Sequence, residues 1–379
     1  MRCIIIPFQR MKVLHVSTDF PSKLDGKLYN YGGLGMCVFQ LVEGLTQRGI
    51  LVDILTRKED VKSIDIIPDV MRTFYIRLTK SRNWKLTHAF TLIPKLLFEA
   101  FNNNYDILHA HNPPAAIGSF LVAKLFGIKT VLTMHGPWAA VRDKFKWLAI
   151  IIENISLDMA DIVTFDSRAL MGMYPKGGNY IAIQNAVDAD VFKPISKAEC
   201  RTRFGFDKDR VIYLYSGRAV HGKKLELILD VAKKFGGADF ILTGFEIDFD
   251  DAVYDNIFYR KAIPNDEMVY LYNACDGLIL ASDVEGMSRA VLEAMSCGIG
   301  VILSDIPANK EVLAGSRAGV LFKTEQDLLE RLKDMNRGYL AAMGKIGREV
   351  VLRNFSVKRR IDAFMGVYKD LIKPKDIYA

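Results

Sequence analysis

The stretch GLILASDVEGMSRAVLEAMSCGIGVILSD, residues 277–305, decides the fold. Two short apolar runs, GLILAS and VILSD, flank SRAVLEAMSCG, a helical pattern that stops at Gly298. Strands that are apolar along their whole length are buried on both faces, and strands joined through a helix run parallel. A strand–helix–strand unit of this kind places the chain in the α/β class.

The same grammar extends in both directions. VIYLYSG, LELILDVAKKFGG and DFILTG precede the unit as strand, helix and strand. Upstream of NAVDADVFKP (185–194), the strands KVLHVS, LVDILT, YDILHAH, TVLTMHG and IVTFDS alternate with helical patterns, among them MCVFQLVEGLTQRG and PAAIGSFLVAKLFG. A final amphipathic helix, FSVKRRIDAFMGVYKDLIK, lies beyond the second series. A chain of 379 residues is too long for one ordinary core. We therefore expect two doubly wound parallel-sheet domains facing across a cleft, at 11–190 and 191–355, then a helix at 356–372. Ligands of such sheets sit outside the carboxyl ends of the strands.

Composition narrows the class only broadly. Half the residues are apolar and a quarter are charged, which excludes a disordered chain. No run approaches the roughly 18–20 apolar residues of a membrane span. The run in MRCIIIPFQR (1–10) is too short for a signal peptide. The five cysteines form no CxxC, and their scatter fits a reduced, cytoplasmic compartment. The net charge of +7 selects none among phosphorylated ligands, acidic lipid surfaces and nucleic acid.

Chemistry gathers where strands end. Glu285 falls in the loop after GLILAS and Glu293 near the second turn of the next helix, an E-x7-E. Between them the backbone N–H groups of Ser288, Arg289 and Ala290 open the helix, and a helix N-terminus favours an anion. Carboxylates on either side can accept hydrogen bonds from sugar hydroxyls. SGRAVHGKK, after VIYLYSG, sets Arg218 and Lys223 at another carboxyl edge, where two cations can neutralise a diphosphate. Gly32-Gly33-Leu34-Gly35 lies between the first strand and first helix, as a close backbone approach to a ligand or as a plain turn. His111 and His135 end apolar strands; His135 reads as functional, His111 as either, and His109 as structural. The DxD at Asp248-Phe249-Asp250 has no helical or histidine partner and reads as a solvated loop. No other cluster has the spacing of metal ligands.

These motifs together resemble the group 1 glycosyltransferases, retaining enzymes of the GT-B fold with two Rossmann-like domains. The resemblance runs from Met11 through YGGLG, ILHAHNPP, VLTMHG, IQNAVDADVFKP, SGRAVHGKK and EGMSRAVLEAMSCG to the final helix. It implies that Arg218 and Lys223 bind the donor diphosphate and stabilise it as leaving group. Glu293 would hold the ribose and Glu285 the transferred sugar, with the amides of Met287 and Ser288 beside it. Gly33 would approach the phosphate, and His135 would contact the sugar. A nucleotide-sugar donor, a glycan or lipid-linked acceptor, no metal cofactor and no nucleic-acid partner follow from the same resemblance. Tyr31 and Asn112 replace the lysine and aspartate of the glycogen and starch synthases, which weakens a polyglucan synthase reading.

Two rivals belong to other classes. A nucleotide-sugar epimerase would need an added acid–base carboxylate pair in the N-terminal domain, and the sequence offers no convincing one. A non-catalytic binding subunit would have lost some of Arg218, Lys223, Glu285 and Glu293, and all four are present. For the acceptor side, residues 78–104 mix Lys80, Arg82, Lys85 and Lys95 with Trp84, Phe90 and leucines. That segment reads either as a basic amphipathic surface for an anionic membrane or as a helix packed on the sheet with its lysines in solvent.

Overall fold

A computed structural model describes residues 11–24, 27–29, 33–57, 72–76, 92–138, 146–175, 177–244, 254–261 and 263–373. The DxD segment, residues 1–10, Tyr31, Gly32 and residues 78–91 lie outside them.

The first sheet contains β1 (Lys12–Ser17), β4 (Leu51–Arg57), β5 (Arg72–Ile76), β6 (Ile107–His111), β7 (Lys129–Met134), β8 (Ile162–Phe165) and β9 (Tyr180–Ala182). Its order is β5-β4-β1-β6-β7-β8-β9, all parallel. A ribbon of β2 (Ser22–Leu24) and β3 (Lys27–Tyr29) stands apart from it. The second sheet contains β10 (Val211–Ser216), β11 (Ala238–Thr243), β12 (Ile257–Arg260), β13 (Gly277–Leu280), β14 (Gly300–Ser304) and β15 (Gly319–Phe322). Its order is β12-β11-β10-β13-β14-β15, again parallel.

The α/β, doubly wound expectation is met, with one systematic gap. Periodicity announces none of β5, β9, β12 and β15, and these four are the sheet edges. An edge strand is covered less completely than a central one, and these edges are short, with three to five residues each. The partly exposed patterns of β9, β12 and β15 agree.

The helices used below are α1 (Gly33–Gln47), α2 (Ile93–Asn102), α3 (Pro113–Phe126), α4 (Lys146–Met159), α5 (Leu225–Lys234), α6 (Met268–Ala274), α7 (Arg289–Ser296), α8 (Arg337–Asn354) and α9 (Val357–Ile372). Gly33 and Gly35 lie in the first turn of α1, not in a loop before it.

Contacts divide the chain into two units, one of Met1–Leu24, Leu34–Gln184 and Val357–Ala379, the other of Asp25–Gly33 and Asn185–Ser356. In the first unit β1 sends Leu14 and Val16 to a core with Phe120 of α3, and Val13 to a core with Val38 and Leu41 of α1. Phe364 and Tyr368 of α9 complete that second core. Each fully buried side chain of this size contributes roughly 1.5–3 kcal/mol. The α1–α9 contact is close: a Cβ added at Gly44 would stand 2.6 Å from Ile361 Cδ1. Strand order reverses between β1 and β6 in the first sheet, and between β10 and β13 in the second. Ligands of doubly wound sheets bind at the carboxyl ends beside such reversals.

Candidate functional site

In the second unit the chain leaves β10 through Gly217, whose N–H donates to Thr243 O at 3.1 Å. The neighbouring loop presses against it. Gly244 has φ +96°, and a Cβ there would lie 2.9 Å from Gly217 O, so both torsion and space require glycine. Arg218 follows with an exposed side chain. The chain then makes one 3-10 turn, His221–Lys223, and enters α5 through Lys224, a left-handed residue at φ +47°.

This loop is zipped to the one that follows β13. Asp283 N–H donates to Gly222 O at 2.9 Å, and Lys224 Nζ meets Asp283 Oδ1 at 2.5 Å. Lys223 Nζ contacts Glu285 Oε1, which also accepts from Ser282 Oγ at 2.6 Å. Two motifs read separately in the sequence are therefore one site, with Lys223 and Glu285 as ion-pair partners. Their side chains are 21% and 11% exposed, open enough for a ligand to compete for both.

Glu293 sits deeper. Its Oε1 accepts from Arg289 Nη2 at 2.8 Å and its Oε2 from Tyr272 OH of α6 at 3.0 Å. Burial, then the Glu293 charge, push the Tyr272 phenol well above its usual range, so it is a fixed donor. A carboxylate has about four lone-pair sites, so these two bonds leave Glu293 capacity for a hydroxyl. The i, i+4 spacing of Arg289 and Glu293 was the available signal for this partner. Ser288 occupies the N-cap of α7. The Met287 side chain is buried in the core, and its carbonyl accepts from Asn185 Nδ2 at 3.3 Å.

In the first unit the carboxyl ends of β1, β6 and β7 bring four histidines together. Register pairs His15 with His109, and Ser17 with His111. His15, His109 and His111 are fully buried. His135 Nδ1 meets Asp166 Oδ2 at 2.7 Å, and its Nε2 meets His111 Nδ1 at 3.1 Å. His111 Nε2 meets His15 Nδ1 at 3.0 Å. His109 lies between Tyr368 OH and Thr133 Oγ1, each at 2.6 Å. Asp166 Oδ1 accepts from Arg360 Nη2 at 3.2 Å, so α9 supplies both Arg360 and Tyr368. Asn112, left-handed at φ +69°, accepts the His135 backbone N–H at 3.1 Å.

Burial lowers the basicity of these imidazoles: His15 falls to about 3, and His109 and His111 lie well below the ordinary range. His135 differs. Burial pulls it down too, but the Asp166 carboxylate and Cys37 outweigh burial and raise it to about 9. Sequence reasoning marked His135 but overlooked His15, and it gave His109 no role beyond structure.

Two groups here have ligand atoms close enough for a metal ion: His15, His109 and His111, and Cys37, His135 and Asp166. Spacing in the sequence showed neither. Both ring nitrogens of each histidine are already engaged by neighbours within the cluster, which leaves no imidazole lone pair aimed at an ion. An ion at the three-histidine group would have to displace these bonds.

Away from these groups, α2, α3 and α4 expose large apolar side chains. Phe98 and Phe101, Leu125, and Trp147 are 60%, 80%, 76% and 64% exposed. An apolar groove between α3 and α4, about 320 Å³, is lined by Ile117, Leu121, Leu148, Ile151 and Ile155. Of segment 78–104, the described part buries Leu96 and Ala100, and Lys95 pairs with Glu99 at 2.7 Å. A cavity of about 820 Å³ lies at the opposite, amino-terminal ends of β10 and β11, beside the Arg210–Asp239 ion pair, remote from these loops.

Comparison with known proteins gives a family for each half. Residues 31–191 match the Glycosyltransferase Family 4 model, and residues 196–349 match the model for Glycosyl transferases group 1. A UDP-Gal:alpha-D-GlcNAc-diphosphoundecaprenol alpha-1,3-galactosyltransferase from Escherichia coli is 24% identical, over 84% of this chain and 89% of that protein. An N-acetyl-alpha-D-glucosaminyl L-malate synthase from Bacillus anthracis is 22% identical, over 90% and 95%. Among solved structures, a sucrose-phosphate synthase from Thermosynechococcus elongatus superposes with a TM-score of 0.81 at 22% identity, covering 96% of this chain and 99% of that one.

Proposed function

Because the chain belongs to the group 1 glycosyltransferases of the GT-B fold, which move sugar from nucleotide sugars, we propose that it is a metal-independent, retaining hexosyltransferase gripping its donor through Arg218 and Lys223. The observation that carries this reading is the pairing of Lys223 with Glu285 at the reversal between β10 and β13. Donor binding exchanges partners there: the diphosphate replaces Glu285 on Lys223, and the freed carboxylate accepts from a hydroxyl of the sugar. Arg218, exposed beside them, supplies a bidentate contact to the phosphates. Glu293, fixed by Arg289 and Tyr272, takes the ribose. The amides of Met287 and Ser288 serve the sugar, and Gly33 and His135 are further donor contacts.

In the reaction the bond from the anomeric carbon to the diphosphate oxygen breaks, and negative charge grows on the phosphate. Preorganised cations stabilise that charge more in the transition state than in the ground state, which is the work a metal does elsewhere. The acceptor oxygen bonds the anomeric carbon on the face the diphosphate leaves. Its proton passes to the departing phosphate oxygen, and the configuration is retained. Among the described residues, no second carboxylate in the loops after β10 and β13 stands apart from an ion pair as a nucleophile.

For the acceptor, the Escherichia coli relative acts on a diphosphoundecaprenol-linked sugar. A lipid-linked acceptor suits the apolar face of α2, α3 and α4, with exposed Lys124 and Lys146 beside it. We place the protein peripherally on an anionic membrane through that face.

A thermal-shift screen against UDP-, GDP- and ADP-sugars tests the donor site. One nucleotide series should stabilise the protein, and Arg218→Ala and Lys223→Ala should each abolish the shift. Full activity in excess chelator is expected; strict dependence on added Mg2+ or Mn2+ would refute the metal-free reading.

A further inference from the structure

The histidines of the first unit belong to a continuous hydrogen-bonded row with an unusual proton count. From Asp166 Oδ2 it passes to His135, His111, His15, Tyr368, His109, Thr133 and Thr164, and ends on the Leu132 carbonyl. The successive contacts are 2.7, 3.1, 3.0, 3.5, 2.6, 2.6, 2.6 and 3.4 Å. Seven groups therefore span eight contacts.

A neutral imidazole, a phenol and a threonine hydroxyl each bring one proton and can each donate one hydrogen bond. A carboxylate and a backbone carbonyl bring none. With an acceptor at each end, seven protons cannot fill eight contacts, so a neutral row must leave two lone pairs facing each other somewhere inside. Such a gap in a buried site is costly. The other groups around His135 do not supply the missing proton. Arg360 donates to the far oxygen of Asp166, and Cys37 raises the basicity of His135 as an acceptor does, so neither brings a proton to the row.

We infer that this row carries one proton more than its members own and holds it on His135, with His111, His15, Tyr368, His109, Thr133 and Thr164 as positioning residues. Asp166 decides the location, because the imidazolium beside it is the only one in the row paired with a carboxylate. The arrangement then fixes every tautomer. His135 donates from Nδ1 to Asp166 and from Nε2 to His111. His111 donates from Nε2 to His15, and His15 from Nε2 to Tyr368. Tyr368 donates to His109, His109 from Nε2 to Thr133, Thr133 to Thr164, and Thr164 to Leu132 O. Both His135 nitrogens face inward, so the ring acts on an anionic substrate through its charge and not as a proton donor. The inference deepens the reading of His135 as a donor-site residue, but its test does not use activity and fails independently of that reading.

The chain has six histidines, so long-range 1H–15N correlation of the labelled protein can resolve them. At pH 7, His135 should carry protons on both nitrogens, and His15, His109 and His111 on Nε2 alone. A proton on Nδ1 of any of those three, or a bare nitrogen on His135, overturns the proposal. Thr164→Val removes an uncharged group at the far end and leaves six groups for six contacts, so the row closes without the extra proton. The His135 titration midpoint should fall by roughly one pH unit or more, a tenfold loss of proton affinity. Thr164→Ser should keep the midpoint. If the valine variant does not fold, Tyr368→Phe gives the same reading, because it splits the row into two halves that each close neutral. An unchanged midpoint in the folded variant refutes the count.

Discussion

The loops after β10 and β13 in the second unit and the imidazole row of the first both collect polar groups at the carboxyl ends of parallel strands. They are built in opposite ways. The loops present charges already paired with each other and partly open to water, so a ligand can enter by exchanging partners. In the row, three of the four histidines are fully buried, burial holds their basicity down, and the members bond to one another. The first kind of site binds by substitution. The second holds a charge in place and resists anything that changes its proton count.

The contrast breaks most visibly with acid. In the unfolded chain His15, His109 and His111 titrate near 6.5, whereas in the fold burial holds His15 near 3 and the other two well below the ordinary range. Above pH 6.5 neither state binds these protons; below it only the unfolded chain does. Their stabilisation is therefore complete above pH 6.5 and lost as pH falls, at a slope of up to about 4 kcal/mol per pH unit for the three together. His135 runs the other way: its contribution is complete below 6.5 and lost as pH rises through about 9. Urea unfolding between pH 8 and pH 4.5 measures the acid side, and equal stability at pH 7 and pH 5 would contradict it.

The loops should break through turnover instead. Arg218→Ala and Lys223→Ala should each lower kcat/KM by roughly 10²–10³-fold, the range for removing one charge-stabilising donor. Arg218→Ala, an exposed surface change, should leave stability within about 0.5 kcal/mol. A fall in stability matching the fall in turnover would remove the distinction between the two regions. Tyr272→Phe is a smaller change. Losing its bond to Glu293 should cost about 1 kcal/mol of stability and raise the donor KM with little effect on kcat. Smallest in stability is the paired change Phe101→Ser and Trp147→Ser on the apolar face. It should leave folding within about 0.5 kcal/mol and abolish low-salt sedimentation with anionic vesicles. Wild-type protein that fails to sediment at any salt would sink the membrane assignment.

Much of the frame was legible because central parallel strands are written as unbroken apolar runs, and the turns after them carry the ligand chemistry. Arg218, Lys223, Glu285 and Glu293 could be marked from placement alone. Edge strands such as Ile257–Arg260 were not, since their runs are short and only partly buried. Pairings were hidden for another reason. Lys223 and Glu285 are 62 residues apart, His109 and Tyr368 are 259 apart, and only strand order and helix docking bring them together. The nearest written trace of the row was HVS, HAH and TMHG: histidines near the ends of three strands that become neighbours in the sheet.

One feature of α9 reaches into how the protein is made. The helix belongs to the first unit, yet Asn185–Ser356, the larger part of the second, is encoded between Gln184 and it. Strands β1, β6 and β7 emerge from the ribosome with Asp166 lacking Arg360, and His15 and His109 lacking Tyr368. At ordinary elongation rates of 5–20 residues per second, that interval is roughly 10–35 s. During it the first unit has all the strands of its sheet but not the helix that brings Arg360 to Asp166 and Tyr368 to His109, so its maturation is timed by the synthesis of its neighbour.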